Sequence, residues 1–88
     1  RSNLMYWDVT SVQPEHHLTL TVKFSDGLQG TVRFKPSHLT GVFESLKNEE
    51  YFNKVFVDHG VVTWPGELDL APDAMHTEIK KNGCWILE

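Results

Sequence analysis

The stretch VTWPGELDLAPDAM, residues 62–75, contains the end of a strand, a stiff turn and the start of a helix. Val62 and Trp64 share strand parity, and the Pro-Gly pair that follows them is typical of a turn. Pro72 suits the first turn of a helix, where Asp73 complements the helix dipole. The stretch therefore predicts a strand, a turn and a C-terminal helix in direct succession.

The residues that follow complete this helix. Lys80 and Lys81 suit its last turn, and Gly83 supplies the stop. We expect a buried stripe formed by Leu70, Ala74, Met75 and Ile79. The apolar residues 84–87 come next. They either fold back onto the sheet or remain an exposed apolar segment that can associate with other molecules.

A hairpin precedes the quoted stretch. Residues 55–57 and 61–64 are apolar and β-prone, and Asp58-His59-Gly60 separates them. A three-residue loop pairs Val57 with Val61 and Phe56 with Val62. Both faces of this hairpin are partly apolar, so that it either lies between two layers or presents one face to another subunit.

An earlier hairpin has a clearer pattern. Apolar residues occupy the even positions from 18 to 24 and recur at 28, 32 and 34, with Gly30 on the same face. A three-residue loop pairs Val22 with Gly30 and Leu20 with Val32, and it sets Phe24 opposite Leu28. A two-residue loop would mix apolar and polar faces, which is penalised where one face is buried. Gly27 then takes the left-handed position of the loop.

Residues 6–12 are β-prone but alternate poorly, which favours an edge strand that Pro14 ends. Between the hairpins, Leu39, Val42, Phe43 and Leu46 lie on one helical face, and Gly41 makes this helix short or irregular.

Asn48 is typical of a helix N-cap, and the two glutamates after it suit the first turn of that helix. We expect Tyr51 and Phe52 to anchor this helical turn to the core.

These elements predict an α+β fold. We expect a mostly antiparallel sheet of about five strands, in two hairpins plus an N-terminal edge strand. A short irregular helix lies between the hairpins, and a second helix is C-terminal. Residues 1–88 form one small domain, because 88 residues leave no room for a second.

Composition argues against several classes of function. Eight Lys and Arg against twelve Asp and Glu give a net charge of −4, and the basic residues are scattered, so we expect no direct nucleic-acid contact. No apolar run is long enough to span a membrane. A single cysteine excludes an internal disulfide and fits a reducing compartment, which predicts a cytoplasmic protein.

Candidate ligands and nucleophiles each have a simpler interpretation. His16 and His17 are adjacent, so that on a strand they would point to opposite faces and could not bind one metal ion. Cys84 could pair with a histidine as nucleophile and base, but it lies in an apolar tail and no third, orienting residue is evident.

The acidic and aromatic candidates are ambiguous in the same way. Asp69 and Asp73 could form an acid–base or metal pair, although capping of the last helix explains both. Trp64, followed by Pro65, could be a recognition platform or part of the core, and the shared face with Val62 and Phe56 favours the core. Asp58 and its neighbour His59 lie at a hairpin tip, where turn geometry alone accounts for the sequence. We therefore expect no catalytic, metal or cofactor site.

The chain resembles a bacterial family known as domain of unknown function 2442 over about residues 6–80. The resemblance rests on five features taken in order: Val12 with Pro14, residues 24–27 with Gly30, residues 39–46, residues 51–58, and residues 62–74. One departure is the run 64–68, where members more often carry Asn-Gly-Ala before the residue that matches Asp69.

The resemblance implies a small α+β domain without an established activity. Some members stand alone, some are fused to a helix-turn-helix domain, and some are similar to modules near toxin–antitoxin-like genes. We expect a non-enzymatic protein-interaction or self-association module. A regulatory component that reaches DNA only through a partner is the alternative, and an unrecognised enzyme is the second alternative.

Overall fold

Two mostly antiparallel sheets share one core in the computed structural model. The structure describes residue 5, residues 7–66 without the side chain of residue 42, and residues 68–87. The strands are β1 (Val9–His16), β2 (Thr19–Phe24), β3 (Gln29–Phe34), β4 (Phe56–Asp58), β5 (Val61–Trp64), β6 (Leu68–Asp69) and β7 (Cys84–Leu87). The α-helices are α1 (Glu49–Phe52) and α2 (Pro72–Asn82), and 3-10 helices span Pro36–His38 and Gly41–Lys47. The order of the first sheet is β1-β2-β3-β7 and that of the second is β4-β5-β6. The α+β prediction is confirmed, with β6 and β7 added to the expected strands.

The predicted register of the first hairpin is confirmed. Leu20 pairs with Val32, and Val22 pairs with Gly30. The loop closes with a 2.8 Å hydrogen bond from the amide of Phe24 to the carbonyl of Leu28. Gly27 has a φ of +92°, the left-handed conformation that the three-residue loop requires.

The predicted register of the second hairpin is wrong. Val57 pairs with Val62, and Asp58 pairs with Val61, so the loop has two residues rather than three. His59 and Gly60 have φ angles of +52° and +80°, as in the primed turns whose twist matches that of the flanking strands. This register brings Val57 onto the face of the buried Val62. It also turns Phe56 to the opposite face, where the side chain is 43% exposed, so that Phe56 does not share a face with Trp64.

β1 continues past the proline that was expected to end it. Pro14 pairs with Leu20, and the strand runs on to His16. Proline is tolerated here because β1 is the edge of its sheet, where an amide hydrogen is not needed on the open side. The strand begins at Val9, and residue 6, from which we predicted it to start, lies outside the described residues.

The segment between the hairpins is irregular, as predicted. Gly41, with a φ of +58°, begins a 3-10 helix that runs to Lys47. Leu39 and Leu46 are buried and Phe43 is partly buried, which confirms the apolar face for the side chains described.

The predicted cap after this segment is also confirmed. The side chain of Asn48 accepts a 3.1 Å hydrogen bond from the amide of Tyr51, which satisfies a free donor of α1. Phe52 is fully buried, and the hydroxyl of Tyr51 donates to the carbonyl of Pro65. α1 therefore joins the core to the turn after β5.

α2 begins at Pro72 and is capped by Gly83, with a φ of +80°, as predicted. Its buried residues are Met75, His76 and Ile79. Leu70, just before the helix, is buried as expected, but Ala74 is exposed. The prediction for Ala74 is wrong because the helix is rotated to bury His76.

The C-terminal tail packs on its own sheet. β7 runs parallel to β3, with Val32 opposite Trp85 and Phe34 opposite Leu87. α2 supplies the connection that a parallel neighbour needs.

Trp64 occupies the centre of the core between the two sheets. Its side chain is fully buried, and its ring centroid lies 6.0 Å from those of both Phe34 and Phe52. The indole Nε1–H donates a 2.9 Å hydrogen bond to the carbonyl oxygen of Phe52. Trp64 is therefore a core residue, as favoured by the sequence, and it links α1 to both sheets.

We expect Trp64→Ala to lower the free energy of unfolding by about 3–5 kcal/mol, because it leaves a large cavity. Trp64→Phe keeps most of the ring and leaves the Phe52 carbonyl unpaired, so it should cost about 1–3 kcal/mol. Urea titration followed by circular dichroism measures both. If neither variant measurably lowered the free energy of unfolding, the central position of the Trp64 ring in the core would be contradicted.

We expect Gly30→Ala to destabilise the fold by about 1–3 kcal/mol through overpacking. A Cβ atom on Gly30 would lie 2.5 Å from Cγ2 of Ile79 and 2.7 Å from the carbonyl oxygen of Gly83, so that α2 would have to move. Gln29→Ala, on the exposed face of the same strand, is the control and should change stability by no more than about 0.5 kcal/mol. Thermal and urea unfolding test the difference, and an unchanged Gly30→Ala protein would show that α2 does not depend on this contact.

Candidate functional site

The two adjacent histidines lie in different local surroundings. His16 ends β1, and His17 lies in the two-residue turn before β2. The Nε2 atom of His17 lies 3.0 Å from the carbonyl oxygen of Leu46, and its ring meets Phe52 edge-on at 5.7 Å. Within the described part of the chain, no group of three His, Cys, Asp or Glu residues could hold a metal ion.

The other sequence candidates lie in separate places. Cys84 is a partly exposed free thiol at the start of β7, opposite Thr31. Asp69 lies on β6 opposite Thr63. Asp73 accepts a 2.9 Å hydrogen bond from the amide of Ala74 at the start of α2. The two carboxylates therefore belong to different elements, and that of Asp73 contacts its own helix start.

The tip of the second hairpin holds an exposed contact between a histidine and a carboxylate. Nδ1 of His59 lies 2.8 Å from Oδ1 of Asp58, and the two side chains are 79% and 56% exposed. Exposed pairs of this kind contribute little to stability. The tip is thus a turn, as its sequence predicted.

The structure assembles a cluster that the sequence did not indicate: Phe24, Asp26 and His76, here called the loop cluster. His76 is 50 residues from Asp26 in the chain, yet its Nε2 lies 2.8 Å from Asp26 Oδ2. The His76 ring meets Phe24 edge-on at 4.8 Å. No short-range spacing signals such a contact, since it depends on how α2 lies over the sheet.

Asp8 joins the second hairpin to this end of the molecule. It is 4% exposed, and its carboxylate accepts a 3.0 Å hydrogen bond from the amide of Met5. Its carbonyl accepts a 2.8 Å bond from the amide of Ser25. A Cβ atom on Gly60 would lie 2.7 Å from Asp8 Oδ1, so glycine is required at the hairpin tip for the carboxylate to approach.

The electrostatics of Asp26 favour its ionised form. The pKa of Asp26 is lowered, first by the hydrogen bond from the amide of Leu28, 3.0 Å from Oδ1, and second by the hydrogen bond from His76. The amide holds the carboxylate at the loop, and the imidazole holds it to α2. The pair therefore ties the first hairpin to the C-terminal helix.

The orientation of the Asp26–His76 pair differs from that of a hydrolase. In a catalytic triad a buried carboxylate orients an imidazole that faces the substrate. Here the imidazole side chain is 3% exposed and the carboxylate is 38% exposed, so the acid faces the solvent and the base faces the core. This arrangement favours a structural role.

The open edge of β7 is the second notable feature. The amide of Thr31 donates to Gly83 and that of Lys35 donates to Leu87, at 3.5 and 2.8 Å. Because alternate residues of a strand bond to the same neighbour, the amides and carbonyls of Cys84 and Ile86 point away from β3. Ile86 is 44% exposed. β7 thus presents an apolar strand edge on the described part of the molecule.

No helix among the described residues combines the length and the apolar character needed to cross a membrane.

The loop cluster generates a pH prediction. The ionised Asp26 stabilises the fold above the ordinary carboxyl pKa of 3.8, and this stabilisation is lost as the pH falls through the lowered pKa. Asp26→Asn should therefore be less stable than the original protein at about pH 6, and the gap should close below about pH 3.5. Thermal unfolding across this range measures the gap.

Asp58→Asn is the matched control, because it also removes an acid beside a histidine, but this histidine is exposed, whereas His76 is buried. Its effect should be small at every pH. A gap for Asp26→Asn that stays constant down to low pH would show that the charge of Asp26 is not what stabilises the contact.

The comparisons with known proteins give a family and no activity. The family model described as "Protein of unknown function (DUF2442)" matches residues 9–81. No curated protein matches the chain, and no solved structure matches it. The matched residues run from the start of β1 almost to the end of α2. The chain therefore belongs to the family of unknown function DUF2442.

Proposed function

We propose that this domain is a non-enzymatic protein-interaction module that joins another polypeptide along the open edge of β7. The observation that carries the proposal is an apolar edge strand with outward-pointing backbone groups at two residues, Cys84 and Ile86. Such an edge is a template for a further strand.

Edge strands of soluble proteins are normally protected, and the other three edge strands of the described residues carry such protection. β4 has three residues and ends in the charged Asp58. β1 carries Pro14 and Glu15, and its first residue bonds to Gly60 of the second hairpin. β6 has only two residues. β7 carries no proline or charged residue, which is the composition that favours strand addition.

The side chains beside this edge fit an extended peptide. Ile86 projects from the outer face beside Arg33, and Trp85 lies on the inner face beside Val32, where it is partly buried. In strand addition, main-chain hydrogen bonds supply affinity and alternate side chains supply specificity. The outward backbone groups of Cys84 and Ile86 supply the hydrogen bonds, and the side chains of Ile86 and Trp85, on opposite faces, supply the specificity.

The remaining expectations fit within this proposal. The net charge of −4 supports a protein partner rather than direct binding to nucleic acid. A regulatory role would then operate through a protein partner that itself binds DNA. We place the domain in the cytoplasm because its single cysteine suits a reducing compartment.

The proposal is tested by photo-crosslinking in cells of the organism that encodes the protein. Ile86 is replaced by p-benzoylphenylalanine, whose benzophenone reacts with a polypeptide lying against it. We expect a discrete adduct with a polypeptide on irradiation, because a strand added to β7 covers the Ile86 side chain.

Phe56→p-benzoylphenylalanine is the matched control, since Phe56 is 43% exposed and lies on the other sheet. It should give no discrete adduct. Absence of an adduct at Ile86, or the same adduct at both positions, would rule out β7 as the interaction edge.

A further inference from the structure

We infer that the polypeptide that covers β7 is a second copy of this chain, paired antiparallel about a two-fold axis at Trp85. The inference rests on the proposed function, because it identifies the partner for the same strand edge. Its basis is that β7 is complementary to itself in backbone hydrogen bonding, side-chain pairing and charge.

The backbone groups fix the register. The outward-pointing residues are Cys84 and Ile86, two positions apart. With the axis at Trp85, Cys84 of each copy lies opposite Ile86 of the other. Each such pair exchanges two hydrogen bonds, as in an antiparallel ladder, so all four outward groups of each strand are satisfied.

Other two-fold registers leave groups unpaired. An axis at Cys84 sets Ile86 opposite Asn82, which belongs to α2 and cannot continue a strand. An axis at Ile86 sets Cys84 opposite residue 88, a glutamate, and so places an apolar residue against an acid. Of these three registers, only the axis at Trp85 pairs the outward-pointing residues Cys84 and Ile86 of one copy with those of the other.

The side chains and charges agree with this register. The two Trp85 rings lie directly opposite in a non-hydrogen-bonded pair, where side chains are closest. Cys84 and Ile86 meet on the outer face. The strand carries no charge, and the Arg33 residues of the two copies are separated by three strand spacings and offset by two residues along the strand, about 16 Å in all. This exceeds the screening length of about 8 Å at physiological salt, so their repulsion is weak.

Two strands of four residues form a small contact compared with the roughly 800 Å² per partner of a standard stable interface. We therefore expect a weak dimer, and covalent trapping is the appropriate test. Ile86→Cys places a thiol opposite Cys84 of the second copy. Opposed residues of an antiparallel pair have Cα atoms about 5.5 Å apart, within the range that a disulfide spans.

The experiment oxidises the purified full chain with copper phenanthroline and measures dimer on non-reducing gels. We expect Ile86→Cys to form a dimer whose disulfides join positions 84 and 86, identified by mass spectrometry. The unsubstituted chain should give no disulfide-linked dimer on the gel, because the two Cys84 residues are diagonal neighbours, about 7–8 Å apart and too far to bridge. The double variant Cys84→Ser/Ile86→Cys should lose the dimer for the same reason.

Phe56→Cys, which keeps Cys84, controls for random collision between thiols, and circular dichroism verifies that each variant is folded. The inference is overturned if folded Ile86→Cys forms no more dimer than Phe56→Cys, or if the double variant forms dimer equally well. The photo-crosslink separates the two proposals. An adduct with a different polypeptide, with no disulfide dimer, overturns the second copy and leaves the interaction module in place, whereas no adduct refutes the module itself.

Discussion

The close approach of α2 to the first sheet at Gly30 is the contact on which the other features depend. With no side chain at this position, Ile79 and the carbonyl of Gly83 lie directly on the sheet. Ile79 is three residues after His76, so the same contact brings the imidazole over the first hairpin and to Asp26. It also ends the helix beside Thr31, where β7 begins. One missing Cβ atom thus positions both the loop cluster and the strand edge.

Local sequence was sufficient where short-range chemistry decides the structure. The first hairpin was predictable because alternation of side chains and the Gly27 turn demand the same register. The second hairpin was not, because its register depends on His59 adopting a left-handed conformation that glycine or asparagine usually supplies. The two-residue turn prevails there since it packs the partly buried Val57 against the core beside Val62 and brings Gly60 against Asp8.

The candidate site depended on contacts that no local pattern contains. Ala74 is more apolar than His76, so a helical stripe drawn from hydropathy includes the alanine and omits the histidine. The helix instead buries His76, because Asp26 hydrogen-bonds the imidazole and Phe24 packs against its ring. The tail was ambiguous for a related reason: its apolar residues suit either a sheet or an exposed end, and the position of α2 decides between them.

The same geometry separates the stabilising part of the molecule from the part open to a partner. Asp26 and His76 join the first hairpin to α2, and Asp8 contacts Ser25 of the first hairpin loop and Gly60 of the second. β7 lies at the opposite edge of the first sheet from β1, with backbone groups directed outward and no charged side chain. The polar groups of Asp26 and His76 already hydrogen-bond to each other, and Asp26 also bonds to the amide of Leu28, so this pair has little left to offer a ligand. The strand edge does, so recognition by this fold is best sought in backbone pairing at β7 rather than in side-chain chemistry at the loop cluster.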